Sequence, residues 1–376
     1  MRKTLKKDRA WIEINSKNLE NNINEIRKII PQSADILAIV KANAYGCGMI
    51  EIAQILNKIG IQNFGVATLA EGLKLRKNNI NGNILILGYT EIKDLEDVIQ
   101  YDLMQTIVDY TYAQKIEEMK LNEKLNVHIK INTGMNRIGE KYKNIDNIIK
   151  MYDMKNINVN GIYTHLSVSE SLEKCDVDFT NEQISRFYNC VEQIQKAGYN
   201  PGKTHIQNSY GILNYSNTKC DYVRPGIIMY GAQVDNATQP EIKLSIKPVL
   251  SLKARITSVK QIEAGEPVSY DRTYIADTGK KIATVSIGYA DGYPRNLSGK
   301  NTKVYVNKQY TEIIGKICMD QLIIDVTNIK NVQTGDIVTL IGEEPEITVE
   351  KISEKAETIT NEVLSRLGDR LERIVF

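Results

Sequence analysis

The sequence contains few of the residues that build metal sites and disulfide frameworks, and it has no long apolar run. Its 376 residues include five cysteines and three histidines, and no two cysteines form a C-x-x-C pair. This scarcity predicts no zinc site and a reducing compartment. No segment approaches the roughly 20 consecutive apolar residues that a membrane-spanning helix needs. We therefore expect no metal, no membrane span and a cytoplasmic location, either alone or as the cytoplasmic domain of a membrane protein.

A surplus of charge of either sign is also missing. Lys and Arg total 48 against 46 for Asp and Glu, the two signs are interspersed, and the formal net charge is +2. This balance argues against nucleic acid or an anionic membrane surface as a partner. The basic start "MRKTLKKDRAWIEI" (residues 1–14) is not followed by an apolar segment, so it does not resemble a secretory signal.

The first 235 residues alternate two kinds of apolar pattern. Between most of the strand-type runs, apolar residues recur every three or four positions, which is typical of amphipathic helices. The strand-type runs lie at 36–41, 64–67, 83–87, 104–108, 127–132, 159–165, 203–207 and 222–228. Eight strands separated by seven candidate helical segments predict a TIM-type (β/α)8 barrel. A doubly wound α/β sheet is the alternative, but no G-x-G-x-x-G follows the first strand.

After about residue 240 the apolar residues alternate with a period of two. Further short strands are expected at 282–287, 303–306, 313–318, 322–326 and 337–341, and helical character returns only near 348–366. We therefore predict a barrel domain over residues 8–240 and a C-terminal, mainly β domain over residues 241–376. Residues 1–7 are a candidate for packing on this second domain.

Polar side chains collect where the barrel strands are expected to end. The active site of such a barrel lies at the C-terminal ends of its strands. The side chains at those ends belong to Lys41, Lys130, Arg137, His165, Asn208, Ser209 and Arg224. This set suits an anionic ligand that carries phosphate and carboxylate groups. Taken singly, each residue is better explained as a solvated loop residue, so the prediction rests on the joint pattern.

Lys41 stands at the start of "VKANAYGCG" (residues 40–48), where an apolar strand stops. An amine that apolar neighbours desolvate has a lowered pKa and can form a Schiff base. The segment "NSYG" (208–211) offers a hydroxyl and backbone N–H groups at a helix start, and "RPGI" (224–227) offers an arginine beside a glycine. A surface lysine and two tight turns would explain these segments equally well in isolation.

Eight motifs occur in the order that is typical of the alanine racemase family, which the chain resembles from "RAWIEI" (9–14) to "RLERI" (370–374). The motifs are "VKANAYGCG", "NTGMNRIG", "IYTHLSV", "IQNSYG", "VRPGIIMYG", "PVSYDRTY", "SIGYADGYPR" and "GKICMDQLIIDV". The resemblance implies a barrel that binds pyridoxal 5′-phosphate, a C-terminal β-domain, and interconversion of L- and D-alanine for peptidoglycan precursors. It also implies a homodimer in which each β-domain completes the partner's site.

The resemblance assigns a role to each matching residue. Lys41 would form the Schiff base with the cofactor and act as one catalytic base, and Tyr270 would be the second base. The remaining cofactor contacts would come from Tyr45, His165, Asn208, Ser209, Arg224, Gly226 and Ile227. The substrate would meet Arg137 and the backbone of Met319, with Tyr289 at the entrance. Lys130 matches a lysine that supports the substrate-binding arginine and is carbamylated in some relatives.

Four positions depart from the family pattern. Cys47 replaces a histidine, Asn132 replaces an aspartate, "HLSVSE" replaces a segment closer to "HFATAD", and Asp369 stands where relatives carry tyrosine, threonine or proline. A small polar residue at 369 leaves room and a hydrogen-bond acceptor for a serine side chain. Serine racemase domains from glycopeptide-resistance clusters are similar and vary at this position. Serine is therefore the alternative substrate, and a plain surface carboxylate is the competing interpretation of Asp369.

Two other protein classes share parts of this plan. A single-barrel, non-enzymatic protein of pyridoxal-phosphate homeostasis lacks a β-domain, whereas about 135 residues follow the barrel here. Basic amino-acid decarboxylases have both domains but set a carboxylate against the pyridine nitrogen and use a Gly-rich phosphate loop. Arg224 and the lack of such a loop argue against a decarboxylase.

Overall fold

The computed structural model describes residues 7–234 and 239–376. The predicted packing of residues 1–7 therefore lies outside the described residues, except for Lys7, whose Nζ donates to Glu13 at 2.9 Å. Two large sheets organise the described chain, one of nine strands and one of eight. None of the helices in the described ranges has the length and apolarity needed to cross a membrane.

Ten strands of the described chain precede residue 235. They are β1 (Ala10–Ile14), β2 (Asp35–Ile39), β3 (Asn63–Val66), β4 (Asn83–Ile86), β5 (Met104–Ile107), β6 (Leu125–Asn132), β7 (Glu140–Lys141), β8 (Ile157–Tyr163), β9 (Lys203–His205) and β10 (Tyr222–Val223). All except β1 and the short β7 form a closed parallel barrel, which β5 closes by pairing with β6. Each of the eight predicted strand runs overlaps one barrel strand, so the predicted (β/α)8 barrel is confirmed.

Helices connect the barrel strands and cover the outside of the barrel. They are α1 (Ser16–Ile29), α3 (Met49–Lys58), α4 (Leu69–Lys77), α5 (Leu95–Gln100), α6 (Tyr110–Glu117), α7 (Ile145–Lys150), α8 (Lys174–Lys196) and α9 (Ser209–Asn214), with 3₁₀ turns at Ile92–Asp94, Met151–Asp153 and Ile227–Tyr230. The segment α2 (Lys41–Tyr45) is a turn with left-handed backbone at the cavity and not a regular helix. Side chains of Asn15, Thr68, Asp109 and Asn208 cap the starts of α1, α4, α6 and α9. These caps explain why the helices begin just after strand ends.

The second domain is mainly antiparallel sheet. Its strands are β11 (Leu250–Ile262), β12 (Pro267–Val268), β13 (Tyr274–Ile275), β14 (Lys280–Val285), β15 (Lys303–Val306), β16 (Gln309–Ile314), β17 (Leu322–Asp325), β18 (Ile337–Ile341) and β19 (Glu372–Val375). Helices α10 (Val349–Lys355) and α11 (Thr360–Ser365) and 3₁₀ turns at Tyr270–Arg272, Tyr289–Asp291 and Arg295–Leu297 complete it. In the first seven residues of β11, from Leu250 to Ile256, every second side chain is buried, as the period-two pattern of the sequence predicts.

Strand β1 does not belong to the barrel, so the predicted start of the barrel domain at residue 8 is too early. β1 pairs antiparallel with β11 and parallel with β19, inside the sheet of the second domain. All five of its residues are buried. The sequence pattern predicts no strand at these residues, and only the pairing with β11 and β19 shows which sheet they join. Because β1 comes first and β19 last, both ends of the described chain meet in one sheet.

Candidate active site

A cavity of about 530 Å³ opens at the C-terminal ends of the barrel strands. Ten residues that the sequence singled out line this cavity, each on the loop or strand end that the barrel prediction required. They are Lys41, Tyr45, Lys130, Arg137, His165, Asn208, Ser209, Arg224, Gly226 and Ile227. Parallel strands bring these positions to one rim although up to about 185 residues separate them in sequence.

The segment after Lys41 is wound in the left-handed sense. Four successive residues without glycine, Ala42 to Tyr45, have φ between 52° and 54°. Each such residue costs roughly 1–2 kcal/mol, so the surrounding structure must hold the segment in place. Within it, the Ala44 N–H donates to Val40 at 2.8 Å and the Gly46 N–H donates to Ala42 at 3.1 Å. We refer to residues 41–46 as the lysine turn.

The end of the chain supports the lysine turn from the side of the second domain. The Arg373 guanidinium donates to the Gly46 carbonyl at 3.2 and 3.1 Å and to the Gly368 carbonyl at 2.8 Å. Gly46 itself has φ +78°, and a Cβ there would lie 2.1 Å from the Leu364 carbonyl oxygen. The hydrogen bonds from Arg373 and the close packing of Gly46 against Leu364 couple the direction of Lys41 to the packing of the second domain against the barrel.

The environment of Lys41 favours its neutral amine. Burial is the main cause that lowers the pKa of this amine below its ordinary value. The nearby Arg137 and Arg224 cations lower it further, while the Glu71 carboxylate acts in the opposite direction. A neutral amine is the nucleophilic form, so Lys41 is prepared to attack an aldehyde at a lower pH than a surface lysine.

Arg224 lies on the floor of the cavity and is hydrogen bonded to histidines on two sides. Its Nη2 donates to the Thr164 carbonyl at 2.8 Å and contacts His165 Nδ1 at 3.2 Å, and its Nη1 contacts His205 Nδ1 at 3.0 Å. Because a guanidinium can only donate, both histidines accept through Nδ1. His205 then donates through Nε2 to His128 Nδ1 at 2.8 Å. All three histidines of the chain thus connect to Arg224.

Burial and the Arg224 cation keep these histidines neutral. The pKa of His128 falls to about 3, first through burial and then through Arg224. The same two causes lower the pKa of His165 and of His205 well below its usual range. The Arg224 Nε–H donates to no group of the described chain, and Arg224 lines the cavity. It can therefore donate a hydrogen bond to a ligand and keep its own proton.

Tyr45, Ser209 and Gly226 lie close together on the wall of the cavity and form the part of it that we call the phosphate pocket. Ser209 Oγ accepts the Gly226 N–H at 3.0 Å, and Asn208 caps α9 by accepting the Gly211 N–H at 2.8 Å. A Cβ on Gly226 would come within 2.6 Å of Tyr45 Oη, so a side chain there would displace the Tyr45 hydroxyl. Burial raises the pKa of Tyr45 to about 12, so its hydroxyl stays a donor. Hydroxyls and backbone N–H groups around a space of this kind suit a phosphate.

Lys130 adds a second buried amine without an acidic partner in the described chain. Its Nζ lies 4.8 Å from the centre of the Tyr163 ring, and the Arg224 guanidinium lies 5.4 Å from the same centre. Burial first, then Arg224 and Arg137, lower the pKa of Lys130 well below its ordinary value. The cavity therefore concentrates cations and amines, which suits an anionic ligand.

Four predicted site residues do not line the cavity of the single chain. Tyr270, Tyr289 and Met319 lie on the second domain with exposed fractions of 65%, 40% and 53%. Tyr289 and Met319 are neighbours, since the Tyr289 N–H donates to Cys318 at 3.1 Å and the Ala290 N–H to Met319 at 3.0 Å. The Asp369 side chain is 93% exposed and reaches Arg373 at 4.0 Å. One chain by itself does not bring these residues to Lys41.

The sequence interpretation missed Glu71, His205 and Arg373. Glu71 belongs to the capping-box pattern T-x-x-E at residues 68–71, which would have marked it as a structural residue. His205 stands at the end of β9, where the strand-end argument could have found it. Nothing in the sequence indicates that Arg373 meets the lysine turn. No group of three or more His, Cys, Asp or Glu side chains in the described ranges is arranged to hold a metal.

Comparison with known sequences gives consistent matches along the chain. The family model described as alanine racemase, N-terminal domain, matches residues 14–234, and that of the C-terminal domain matches residues 249–375. An amino-acid racemase of Enterococcus faecalis is 41% identical over 369 residues, covering 98% of this chain and 52% of that protein. Alanine racemase 1 of Caldanaerobacter subterraneus subsp. tengcongensis is 36% identical over 373 residues, covering 97% and 94%.

A third relative names a second amino acid. The serine/alanine racemase of Enterococcus gallinarum is 35% identical over 363 residues, covering 96% of this chain and 51% of that protein. The chain thus spans about half the length of the curated Enterococcus relatives that it matches.

Solved structures agree with the sequence comparison. An alanine racemase of Clostridium difficile 630 superposes with a TM-score of 0.92 at 34% identity, covering 98% of this chain and 96% of that chain. The alanine racemase of Bartonella henselae with covalently bound pyridoxal phosphate gives 0.84 at 31% identity, covering 98% and 100%. Two family models that together span nearly the whole chain, and relatives matched along almost their full length, establish that the chain belongs to the alanine racemase family.

Proposed function

We propose that this chain interconverts L- and D-alanine with pyridoxal 5′-phosphate and so supplies D-alanine for peptidoglycan precursors. The observation that carries the proposal is the arrangement of the cavity. An amine with a lowered pKa on a fixed turn, Lys41, shares one cavity with the pocket at Ser209 and Gly226 and with the free Nε–H of Arg224. A phosphorylated pyridine aldehyde requires these three functions together.

The residues present fit this cofactor. Tyr45, Ser209 and the N–H groups of Gly226 and Ile227 would hold its phosphate, which would take the Gly226 N–H over from Ser209 Oγ. Arg224 would donate to the pyridine nitrogen, and Lys41 would hold the aldehyde carbon as a Schiff base. When bound, the cofactor supplies an electron sink for the carbanion formed when the substrate loses its α-proton. Arg224 keeps its own proton, which keeps that sink weak and disfavours side reactions.

Racemisation requires a base on each face of the substrate. Lys41 would move the proton on the face of the D-enantiomer and Tyr270 the proton on the face of the L-enantiomer. A phenol is a poor base unless cations stabilise its anion, and Arg137 and Arg224 line the cavity that would receive it. Arg137 and the backbone of Met319 would hold the substrate carboxylate, with Lys130 behind the arginine.

A homodimer would bring these groups together. Tyr270, Tyr289 and Met319 are exposed apolar residues on one domain, whereas Lys41 lies in the cavity of the other. Exposed aromatic and thioether side chains of this kind mark contact surfaces. We therefore propose that the second domain of each subunit completes the cavity of its partner, so that each of two sites contains Lys41 of one chain and Tyr270 of the other.

The direct test is chiral analysis of the products formed from a panel of L-amino acids by the chain with added cofactor. We expect D-alanine to accumulate until both enantiomers are equal, and the yellow protein to bleach when borohydride reduces its imine. Absence of D-amino acid from the whole panel would contradict the proposal. Release of carbon dioxide from lysine, arginine or ornithine would favour a decarboxylase instead.

Replacing Gly226 by alanine is expected to weaken cofactor binding by at least about tenfold, which corresponds to about 1.4 kcal/mol. The added Cβ would lie 2.6 Å from the hydroxyl of Tyr45. Titration of the cofactor-free protein with pyridoxal phosphate measures the effect. Gly279→Ala is the matched control, because the nearest atom to its Cβ is 3.8 Å away. Equal affinities of the two variants would exclude the phosphate pocket.

Serine is the second candidate substrate. The similarity to the serine/alanine racemase of Enterococcus gallinarum supports it, whereas the Asp369 side chain is 93% exposed and does not line the cavity of its own chain. Asp369 follows Gly368, whose carbonyl accepts from Arg373, and Arg373 also contacts Gly46 of the lysine turn. Arg373 therefore ties the turn that carries Asp369 to Gly46, at the end of the lysine turn.

Replacing Asp369 by tyrosine is expected to lower kcat/KM for L-serine relative to L-alanine by roughly tenfold, since a bulky ring would remove space and an acceptor for the hydroxyl group. Kinetics with both substrates measure the ratio. Asp277→Tyr, at a carboxylate whose side chain is 78% exposed on the second domain, is the control. An unchanged ratio in Asp369→Tyr would mean that Asp369 is a surface carboxylate without a role in selectivity.

A further inference from the structure

Glu71 joins the lysine turn to the neighbouring barrel strand. One carboxylate oxygen, Oε1, accepts the N–H of Ala42 at 2.7 Å, directly after Lys41. The other oxygen, Oε2, accepts the N–H of Ala67 at 2.7 Å, just beyond the end of β3. A single side chain on α4 thus fixes the ends of β2 and β3 relative to each other.

This arrangement differs from the ordinary role of a glutamate at this place in a helix. In a capping box the glutamate reaches back to the N–H of the capping residue itself, here Thr68. Thr68 does accept the Glu71 N–H at 3.3 Å. The carboxylate, however, bonds to Ala67 and Ala42 instead. The two carboxylate oxygens of Glu71 therefore bond to the loops after β2 and β3 and not to the first turn of α4.

The lysine turn needs such a partner because its backbone is unfavourable. Ala42 is the first of four successive residues with positive φ. Its N–H points out of the turn and bonds to Glu71, whereas the N–H groups of Ala44 and Gly46 bond to the nearby carbonyls of Val40 and Ala42. A carboxylate accepting from a backbone N–H forms a charge-assisted hydrogen bond, which is stronger than a neutral one. Glu71 thus stabilises the backbone at Ala42, where the strained lysine turn begins after the end of β2.

Glu71 also supplies negative charge close to the Lys41 amine. The cationic groups that act on this amine are Arg137 and Arg224, and His165 beside Arg224 is neutral. The Glu71 carboxylate counters them. Removing its charge would therefore favour the neutral amine still more, a change opposite to that expected if Lys41 merely became more exposed to water.

We propose that Glu71 is a positioning residue that fixes the direction of the Lys41 side chain by tying Ala42 to Ala67. This inference rests on the proposed function only for its effect on catalysis. Its effect on the Lys41 amine follows from the carboxylate charge that the bond to Ala42 places beside Lys41. Glu71 does not line the cavity, whereas Ala67, which it holds, does.

The test compares Glu71→Gln with Glu117→Gln in the full chain. Glu117 is a matched control because its two oxygens accept the N–H groups of Lys155 and Asn156 at 3.0 Å each, away from the cavity. In the cofactor-free protein, the pH dependence of Lys41 acylation by a small anhydride, followed by peptide mass spectrometry, reports the amine directly. We expect its midpoint to move to lower pH in Glu71→Gln and to stay unchanged in Glu117→Gln.

In the protein loaded with cofactor, we expect kcat for alanine to fall by roughly 10- to 100-fold in Glu71→Gln with little change in KM, because misplacing a reacting group has effects of this size. Glu71→Asp, which keeps the charge but shortens the reach, should keep the acylation midpoint and still lose kcat. It also covers the case in which Glu71→Gln fails to fold. Identical midpoints and kcat values for wild type and both Glu71 variants would overturn the inference.

The two proposals can fail separately. A wild-type chain without racemase activity would contradict the proposed function, yet the shift of the Lys41 midpoint in Glu71→Gln would still support the positioning role. Conversely, normal racemisation with no midpoint difference between Glu71→Gln and Glu117→Gln would count against Glu71 alone.

Discussion

Lys41→Ala is expected to lower kcat for alanine in both directions by at least about 10³-fold, because one change removes both the covalent attachment and one base. The other amine of the cavity is not placed to substitute for it. Lys130 lines the same cavity but is fixed over the Tyr163 ring on the far strand β6. The variant should also remain colourless with added cofactor, since no second lysine of the described chain is held on a turn beside the phosphate pocket.

The measurement is the initial rate of each direction by chiral chromatography, together with the visible absorbance of the protein. Lys58→Ala is the control, because Lys58 lies at the end of α3 and is not among the residues that line the cavity. Addition of a small primary amine should restore part of the activity by replacing the missing base. Full activity of Lys41→Ala without added amine would contradict the proposed reaction.

Tyr270→Phe is expected to lower kcat by about 10²- to 10⁴-fold while leaving the covalent cofactor attachment intact. The change removes one hydroxyl from a side chain that is 65% exposed in the single chain, so the stability of the subunit should hardly change. The two variants therefore differ in cofactor binding. Tyr270→Phe should keep the covalent attachment, whereas Lys41→Ala should lose both the attachment and one base. Exchange of the α-proton with deuterated water, starting from each enantiomer, shows which face has lost its base.

Mixing the two variants tests whether the site is shared between subunits. Equal amounts of Lys41→Ala and Tyr270→Phe, unfolded and refolded together, should recover roughly a quarter of wild-type activity, because half of the dimers then carry one intact site. Each variant refolded alone is the control. If the mixture stays as inactive as its parts, Lys41 and Tyr270 come from the same chain.

The barrel could be predicted because parallel strands covered on both faces appear in the sequence as short apolar runs between amphipathic segments. Each of the eight runs became a strand. The strand β1 was not predicted, and the predicted boundary at residue 8 placed its residues with the barrel. A local pattern holds no information about which sheet a short segment will join, and pairing with β11 and β19 decides this.

The candidate site could be predicted in part for the same geometric reason. Residues at strand ends of a barrel must share one rim, so the strand pattern alone was enough to group Lys41, His165 and Arg224. Glu71 could not be recognised, since its importance depends on where the Ala42 and Ala67 amides point. Arg373 was equally hidden, because only the packing of the chain end against the lysine turn makes it a neighbour of Gly46.

The sequence by itself determined the two-domain plan, the strand that presents Lys41, and the residues from which an anion-binding cavity is built. These follow from short-range periodicity and from the rule that barrel strands end on one rim. Tertiary structure alone decided the left-handed path of the lysine turn, the hydrogen-bonded row from Arg224 to His128, and the exposure of Tyr270 outside the cavity of its own chain. Each of these depends on contacts between residues far apart in the chain, and no local pattern encodes such contacts.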